Sequence, residues 1–330
     1  MKAMILAAGF GTRLFPLTID RTKPAIPFLG KPLVGYVAEY VAKYGFKEVV
    51  VNLHHQPDSV KEALGDGRNF GVKIHYTYEE PKILGTAGAL DNARHLLEDE
   101  TFLIANGKII TDIDINAALV THKRTGALAT MVLKPNTNIE HFSEVFVEDG
   151  QISGFGGFPD PNFDQTNPDK KIPYMFTGIH ILEPRIFDYI PRGVYSDIVP
   201  TFYNPAIRKG EIISAHIATG KWFELSTIPR YLDITLQMLN GNPNRNVIGN
   251  NFEKASSAKI EDSIIWDNVL VKENAKIYRS IIGDDVTIDA GAEFENVAIV
   301  KAEMLGHCEE IPEKAIKGRI IGENYVVPLK

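Results

Sequence analysis

One segment of the chain is written twice. AKIEDSIIWDNVLVKEN (258–274) aligns without gaps over AKIYRSIIGDDVTIDAG (275–291), which matches Ile260 with Ile277, Ile264 with Ile281, Val269 with Val286 and Val271 with Ile288 at a constant offset of 17 residues. A third, partial copy, AEFENVAIV, follows at once. Apolar pairs five or six residues apart make strands too short to bury a face alone. Stacking one copy on the next buries a continuous core, so this repeat fits a three-sided parallel β-helix with one short strand per side and one coil per copy. The polar, glycine- and asparagine-rich stretch before it, GNPNRNVIGNNFEKA (241–255), reads as a linker. Residues 301–330 are expected to cap the coils or fold back on them.

The first 240 residues follow a different rule. MILAAGFGTR (4–13) is a short apolar run broken by Gly9 and Gly11, with a cation close behind. A buried strand that ends in such a loop can present backbone N–H groups to an anion, since glycine has no Cβ to keep it at a distance. Thr12 adds a hydroxyl, Arg13 a planar fork of donors, and Lys23 a second cation on the same loop. Neither of two better-known phosphate loops is present. The dinucleotide fingerprint needs a third glycine where this chain has Leu14, and no Gly-Lys-Ser/Thr occurs here to make a P-loop.

Downstream, apolar side chains recur at helical spacing over 33–45, and KEVVVNLH reads as a buried strand. A helix over 57–64, the strand VKIHYTYE, a helix near 87–97 and the strand TFLIAN continue the alternation. A helix over THKRTGA (121–127), the strand LATMVLK and a hairpin turning at Asp149-Gly150 come next. Such alternation predicts a mostly parallel sheet with ligands at the carboxyl ends of its strands. His54 and His55 have no third ligand at a usual spacing and read as loop or capping residues.

LAAGFGTRLFPLT followed by TKPAIPFLGKPL resembles the signature of the sugar-1-phosphate nucleotidyltransferases, and is most similar to mannose-1-phosphate guanylyltransferase-like members. The fold expected is therefore α/β: a Rossmann-like, mostly parallel nucleotidyltransferase domain over 1–240, the linker 241–255, a short left-handed parallel β-helix over 256–300, and the tail 301–330. The resemblance implies that a nucleoside triphosphate and a sugar 1-phosphate give a nucleotide sugar and pyrophosphate. On the matched positions, Arg13 would stabilise the leaving pyrophosphate and Lys23 the transferring phosphoryl group. Ala8, Gly9, Gly11 and Thr12 would line the nucleotide. In EEPKILGTAGALDNA (79–93), Glu80, Gly85 and Gly88 fall where the family reads the nucleobase, and Gly178 falls where its backbone nears the sugar.

Three departures gather at the metal and the sugar. The family's Asn-Gly-Asp, whose aspartate holds Mg²⁺, is Asn106-Gly107-Lys108 here, with Asp112 and Asp114 able to reach back only through a remodelled loop. Its Glu-Lys-Pro sugar clamp is replaced by Gly156-Gly157-Phe158-Pro159, ahead of a Pro-, Asn- and Asp-rich loop over 159–173. In WFELSTIPRYL a glutamate, Glu224, stands for the aspartate of Trp-x-Asp-Ile-Gly-Thr-Pro, Ser226 for the glycine and Ile228 for the proline. Glu224 is thus the carboxylate that would hold Mg²⁺, one methylene longer than the family's, where octahedral geometry leaves little slack.

A working transferase with a rearranged metal site and a nucleotide-sugar-binding regulatory subunit of the same fold are both compatible with these residues; the missing third glycine disfavours a nicotinamide enzyme. A formal charge of −7 argues against a general nucleic-acid or membrane binder. The single cysteine, Cys308, excludes an internal disulfide and a cysteine-rich zinc site. No stretch approaches the ~20 apolar residues of a membrane helix. A cytoplasmic protein is expected, and the flat coil surfaces suggest a homo-oligomer.

Overall fold

The computed structural model describes residues 1–160, 171–242, 244–308 and 310–329, so most of the loop expected over 159–173 lies outside the described residues. The elements that matter below are β1 (Ala3–Leu6), α1 (Leu33–Lys43), β2 (Glu48–Leu53), α2 (Pro57–Leu64), β3 (Lys73–Tyr78), α3 (Gly85–Asn92), β4 (Phe102–Asn106), α4 (Ile115–Thr125), β5 (Ala129–Pro135), β6 (Glu144–Glu148), β7 (Gln151–Phe155), β8 (Tyr174–Leu182), β9 (Ile213–Ile217) and α5 (Ile228–Met238). The chain forms two compact units. One holds Met1–Ala8, Tyr36–His54 and Leu64–Trp222; the other holds Gly9–Gly35, His55–Ala63 and Phe223–Lys330.

The first unit is built on a nine-stranded sheet of order β3-β2-β1-β4-β8-β5-β9-β7-β6. Strands β1, β2, β3 and β4 pair in parallel, as does β9 on β5, while β7 and β8 run against the rest. β1 and β4 are buried almost throughout because helices cover both faces of such a sheet. Met4, Ile104, Leu133, Phe102 and Phe187 meet in one core, with the last two rings stacked at 5.8 Å. Helix α4 begins at Ile115, six residues earlier than the helix expected over 121–127. Asp114 sets that start: its side chain accepts the Asn116 N–H and caps the helix. After β8 the chain makes a 3₁₀ turn over Pro184–Asp188.

The second unit holds the β-helix, and its register is the one read from the repeat: Ile260 pairs with Ile277, Ile264 with Ile281 and Val271 with Ile288. Ile277, Ile281, Val286 and Ile288 are buried, each contributing roughly 1.5–3 kcal/mol. Corner residues Asn251, Asn268 and Asp285 take φ of 52°, 58° and 59°, a left-handed conformation that Asn and Asp tolerate best among residues with a Cβ. Their side chains form a ladder, Asn251 Nδ2 to Asn268 Oδ1 and Asn268 Nδ2 to Asp285 Oδ1, both at 2.9 Å. The stretch 241–255 is not simply a linker. Val247–Ile248 pairs with Ile264–Ile265 and Glu253–Lys254 with Leu270–Val271, which makes an exposed, polar first coil whose repeat pattern is hard to see. At the other end Asn324–Pro328 returns antiparallel to Val297–Lys301, and with it the tail folds back on the last coil.

Candidate active site

In the first unit the carboxyl end of β1 lies between two asparagines: Leu6 is in register with Asn52 of β2 and with Asn106 of β4. Asn52 is buried and satisfied on both sides. Its Oδ1 accepts the Ala7 N–H at 2.8 Å, and its Nδ2 donates to Glu79 Oε1 at 2.6 Å. Glu79 Oε2 in turn accepts the Leu84 N–H at 2.6 Å. One carboxylate therefore ties the β1 end, where buried Ala8 follows, to the start of α3. Sequence reasoning chose Glu80, which is exposed, and missed Glu79, which is 1% exposed. The available signal was a polar residue closing an otherwise apolar strand, Asn52 in KEVVVNL. His54 has the expected loop role, with Nδ1 2.7 Å from the Glu79 carbonyl oxygen.

Gly85 and Gly88 are explained by their own surroundings. Gly85 has φ 73°, and a Cβ there would lie 2.7 Å from Ser196 O; a Cβ on Gly88 would lie 2.8 Å from Val194 O. Ser196 O accepts the N–H groups of Ala87 and Gly88, two amides in the first turns of α3. Thr86 fixes the same segment, its Oγ1 accepting the Ile198 N–H at 2.8 Å.

Gly178 lies in a bulge of β8 against β5, at φ 80°. A Cβ there would come 2.3 Å from Asn106 Nδ2, so the glycine leaves the room that the Asn106 side chain occupies at the β4 end. The neighbouring Thr177 O accepts the Trp222 indole N–H at 2.8 Å, and Trp222 meets Phe142 edge-on. Beyond β7, where the resemblance expects a polar clamp, Phe158 stacks on His141 with centroids 3.4 Å apart.

Lys108 follows β4 in a turn and is half-buried. The two aspartates that could have replaced the missing carboxylate serve the backbone instead. Asp112 Oδ1 accepts the Lys221 N–H at 2.6 Å, and Asp114 caps α4. Among the described residues no group of three or more His, Cys, Asp or Glu side chains comes together. In the second unit Glu224 is a buried carboxylate just before α5, whose Arg230 Nε donates to the Glu224 carbonyl oxygen at 2.7 Å. With Lys108 in the aspartate's place, neither unit offers by itself, among the described residues, the carboxylate pair that the resemblance puts on Mg²⁺.

The signature loop belongs to the second unit. Gly9 and Phe10 are exposed, and Gly11, at φ 67°, opens the 3₁₀ turn Thr12–Leu14 that carries Arg13 into solvent. A Cβ on Gly11 would meet Thr18 Cγ2 at 3.1 Å and Lys23 N at 3.4 Å. The two halves of the signature are thus folded onto each other, with Lys23 at the head of a second 3₁₀ turn and 9% exposed. What sequence reasoning missed here is Arg21. Its Nε and Nη2 donate to Asp20 at 3.0 and 2.9 Å, its Nη2 also donates to Asp284 at 2.5 Å, and its guanidinium lies 4.9 Å from the Trp266 ring centroid. The two carboxylates raise its already high pKa despite burial. Burial in turn lifts the Asp284 carboxyl, against the pull of Arg21.

Residues 2–241 match the family model described as Nucleotidyl transferase, and 237–301 the one described as GlmU-like, C-terminal hexapeptide. The chain belongs to the nucleotidyl transferase family. A Synechocystis UTP–glucose-1-phosphate uridylyltransferase is 32% identical over 244 residues, 70% of this chain and 61% of that one. An N-acetylmuramate alpha-1-phosphate uridylyltransferase from Neisseria meningitidis is 34% identical over 239 residues, 70% of this chain and 95% of that one. A mannose-1-phosphate guanylyltransferase catalytic subunit beta from Dictyostelium discoideum is 36% identical over 210 residues, 61% of this chain and 55% of its own length. The chain thus spans about three fifths of the first relative and nearly all of the second. A Bacillus anthracis chain solved with a sucrose, named as a glucose-1-phosphate thymidylyltransferase, shares the fold at a TM-score of 0.60 and 22% identity, over 73% of this chain and 94% of that one. The nucleotidyl transferase domain and the left-handed β-helix expected from sequence are both present. No helix among the described residues is long and apolar enough to cross a membrane.

Proposed function

We propose that this nucleotidyl transferase family member joins a nucleoside triphosphate to a sugar 1-phosphate, with release of pyrophosphate. A phosphate oxygen of the sugar phosphate attacks the α-phosphorus in line; the bond from the α-phosphorus to the oxygen bridging to the β-phosphorus breaks, and pyrophosphate leaves with that electron pair. Little covalent chemistry falls to the protein, so positioning and charge neutralisation carry the rate. Arg13, exposed on its turn, neutralises the leaving pyrophosphate. Lys23 meets the transferring phosphoryl group, and Gly9, Gly11 and Thr12 supply donors to the triphosphate. The observation that supports this most is Gly11, whose left-handed backbone starts the turn bearing Arg13 and lies against Lys23.

The relatives' names span uridylyl and guanylyl transfer and three different sugars, which fixes the assay. Pyrophosphate release should be followed over UTP, GTP, dTTP, ATP and CTP against glucose, mannose and N-acetylmuramate 1-phosphates, with and without Mg²⁺. Turnover on one pair is the expected result. A second reading, a regulatory subunit that binds nucleotide sugar without making it, is favoured by Lys108. Tight nucleotide-sugar binding with no release on any pair would replace the first reading by the second. We further propose that the protein is cytoplasmic and self-associates, readable by fractionation and light scattering.

A further inference from the structure

We infer that Arg21 is a positioning residue through which the β-helix holds the nucleotide loop, so that the affinity of the loop for triphosphate depends on a repeat domain that need not touch the substrate. The inference rests on the phosphate-binding role proposed above for Lys23.

Two clamps bracket Lys23, one on each side, and both end on residues of the second unit's C-terminal half. Before it, Arg21 reaches Asp284, a coil residue 263 positions away, and lies over Trp266 of the neighbouring coil. Asp284 cannot swing aside freely, because its other oxygen accepts the Asp267 N–H at 2.9 Å. After Lys23, the Pro27 carbonyl accepts the Tyr231 hydroxyl of α5 at 2.5 Å. The Trp266 indole N–H donates to that same hydroxyl at 3.2 Å, and the two clamps therefore share one tryptophan. Between them the turn at Lys23 is closed by the Ala25 N–H on Thr22 O and the Ile26 N–H on Lys23 O, at 3.0 and 3.1 Å. Thr22 is pinned by its own N–H to Ser59 Oγ at 3.1 Å. A loop cation held at both flanks, by the half-buried Arg21–Asp284 pair and by buried Tyr231, is already ordered before nucleotide arrives, which is where binding gains from preorganisation.

The geometry also says what loosening should do. Without Arg21, half-buried Asp284 loses its ion-pair partner, and Trp266 loses the guanidinium over its ring. The turn at Lys23 would then keep its later clamp and the Thr22 bond to Ser59 but lose the earlier clamp. Re-ordering one loosened loop residue on binding costs about tenfold, so about a tenfold or larger loss of triphosphate affinity is expected from Arg21→Met.

The test uses the full chain, with a non-hydrolysable nucleoside triphosphate analogue followed by calorimetry and hydrogen exchange read at Ala25 and Ile26. Arg21→Met and Asp284→Asn should each weaken binding about tenfold or more and speed exchange at both amides, with the double variant no worse than either alone. Arg21→Lys should recover part of the loss. Lys272→Ala, which breaks an exposed coil ion pair with Asp289, should change neither readout. If Arg21→Met and Asp284→Asn lower the melting temperature but leave affinity and exchange at wild-type values, the residues are only structural and the inference falls. A wild-type protein that binds no triphosphate removes the transferase reading instead; exchange at Ala25 and Ile26 then still decides whether Arg21 orders the loop.

Discussion

Glu79→Gln tests the buried network that joins β1 to α3. Both carboxylate oxygens are occupied, one by Asn52 Nδ2 and one by the Leu84 N–H, each at 2.6 Å. Glutamine has a single acceptor oxygen, so one of the two donors must face an NH₂ group. A hydrogen bond to a charged acceptor contributes ~1.5–3 kcal/mol, and stranding a buried donor costs ~1–3 kcal/mol. Allowing for one bond that survives in weakened, neutral form, the substitution should destabilise the protein by ~2–4 kcal/mol. With a urea slope of ~2–3 kcal/mol/M, the unfolding midpoint of the sheet should fall by ~1 M. Asn52→Ala should cost less in the Glu79→Gln background than alone, because the two side chains share a bond, and the coupling should be at least ~1 kcal/mol. Urea melts followed by far-ultraviolet circular dichroism for the four proteins of this cycle measure both numbers. A midpoint shift under ~0.2 M with no coupling would mean that Glu79 is not the acceptor joining these elements, and the argument from burial would fail.

Arg13→Ala and Lys23→Ala should each weaken triphosphate binding by ~1.5–3 kcal/mol in calorimetry, the range for a hydrogen bond to a charged group; unchanged affinity in both would remove the phosphate loop. Gly85→Ala forces a left-handed alanine whose Cβ sits 2.7 Å from Ser196 O, and thermal melts should show a loss of ~1–3 kcal/mol where Gly210→Ala, also left-handed but in open space, shows only its backbone share. His180 is buried, its Nδ1 lies 2.6 Å from the Tyr203 hydroxyl oxygen, and its pKa is lowered to about 3 by desolvation. The unfolded chain takes up a proton near pH 6.5 that the folded chain refuses, so His180's effect on stability is constant above pH 6.5 and becomes more unfavourable as pH falls toward 3, by ~1.4 kcal/mol per pH unit. His180→Phe should flatten that slope in urea melts between pH 6.5 and 4.5; an equal slope would place the acid sensitivity elsewhere. Lys108→Asp should turn a weak Mg²⁺ dependence of triphosphate binding into a strong one, and if neither this dependence nor turnover moves, Lys108 does not serve the phosphates.

Most of the fold was legible because its signals are local. β1, β2 and β4 announce themselves as apolar runs, and the β-helix as a period of 17 that pairing then reproduces. Boundaries failed where a polar residue acts at a distance of two or three positions. Asp114 starts α4 early, and the first coil hides in 241–255 because its outer strands have nothing outside them to bury against. The glycines were legible as positions, and the structure adds a packing reason that the sequence does not carry: Gly178 makes room for Asn106, and Gly85 and Gly88 make room for the segment around Ser196.

Arg21 was hidden for a more general reason, which Asp284 shows. Within the repeat Asp284 is the copy of Asp267, and each does the same local work: Asp267 Oδ1 accepts the Asn250 N–H and Asp284 Oδ1 the Asp267 N–H, one coil further along. That shared task is enough to account for an aspartate at both places, and a reader of the repeat stops there. The two copies differ only in the second oxygen. Asp267 turns Oδ2 to the side chain of Asn250 in its own stack, whereas Asp284 turns Oδ2 out of the β-helix to Arg21. Sequence periodicity reports what the copies have in common, so it is blind to the oxygen that makes one copy specific. In this unit that oxygen is the one that reaches the signature loop, and the repeat's regularity conceals the coil residue most closely tied to the proposed chemistry.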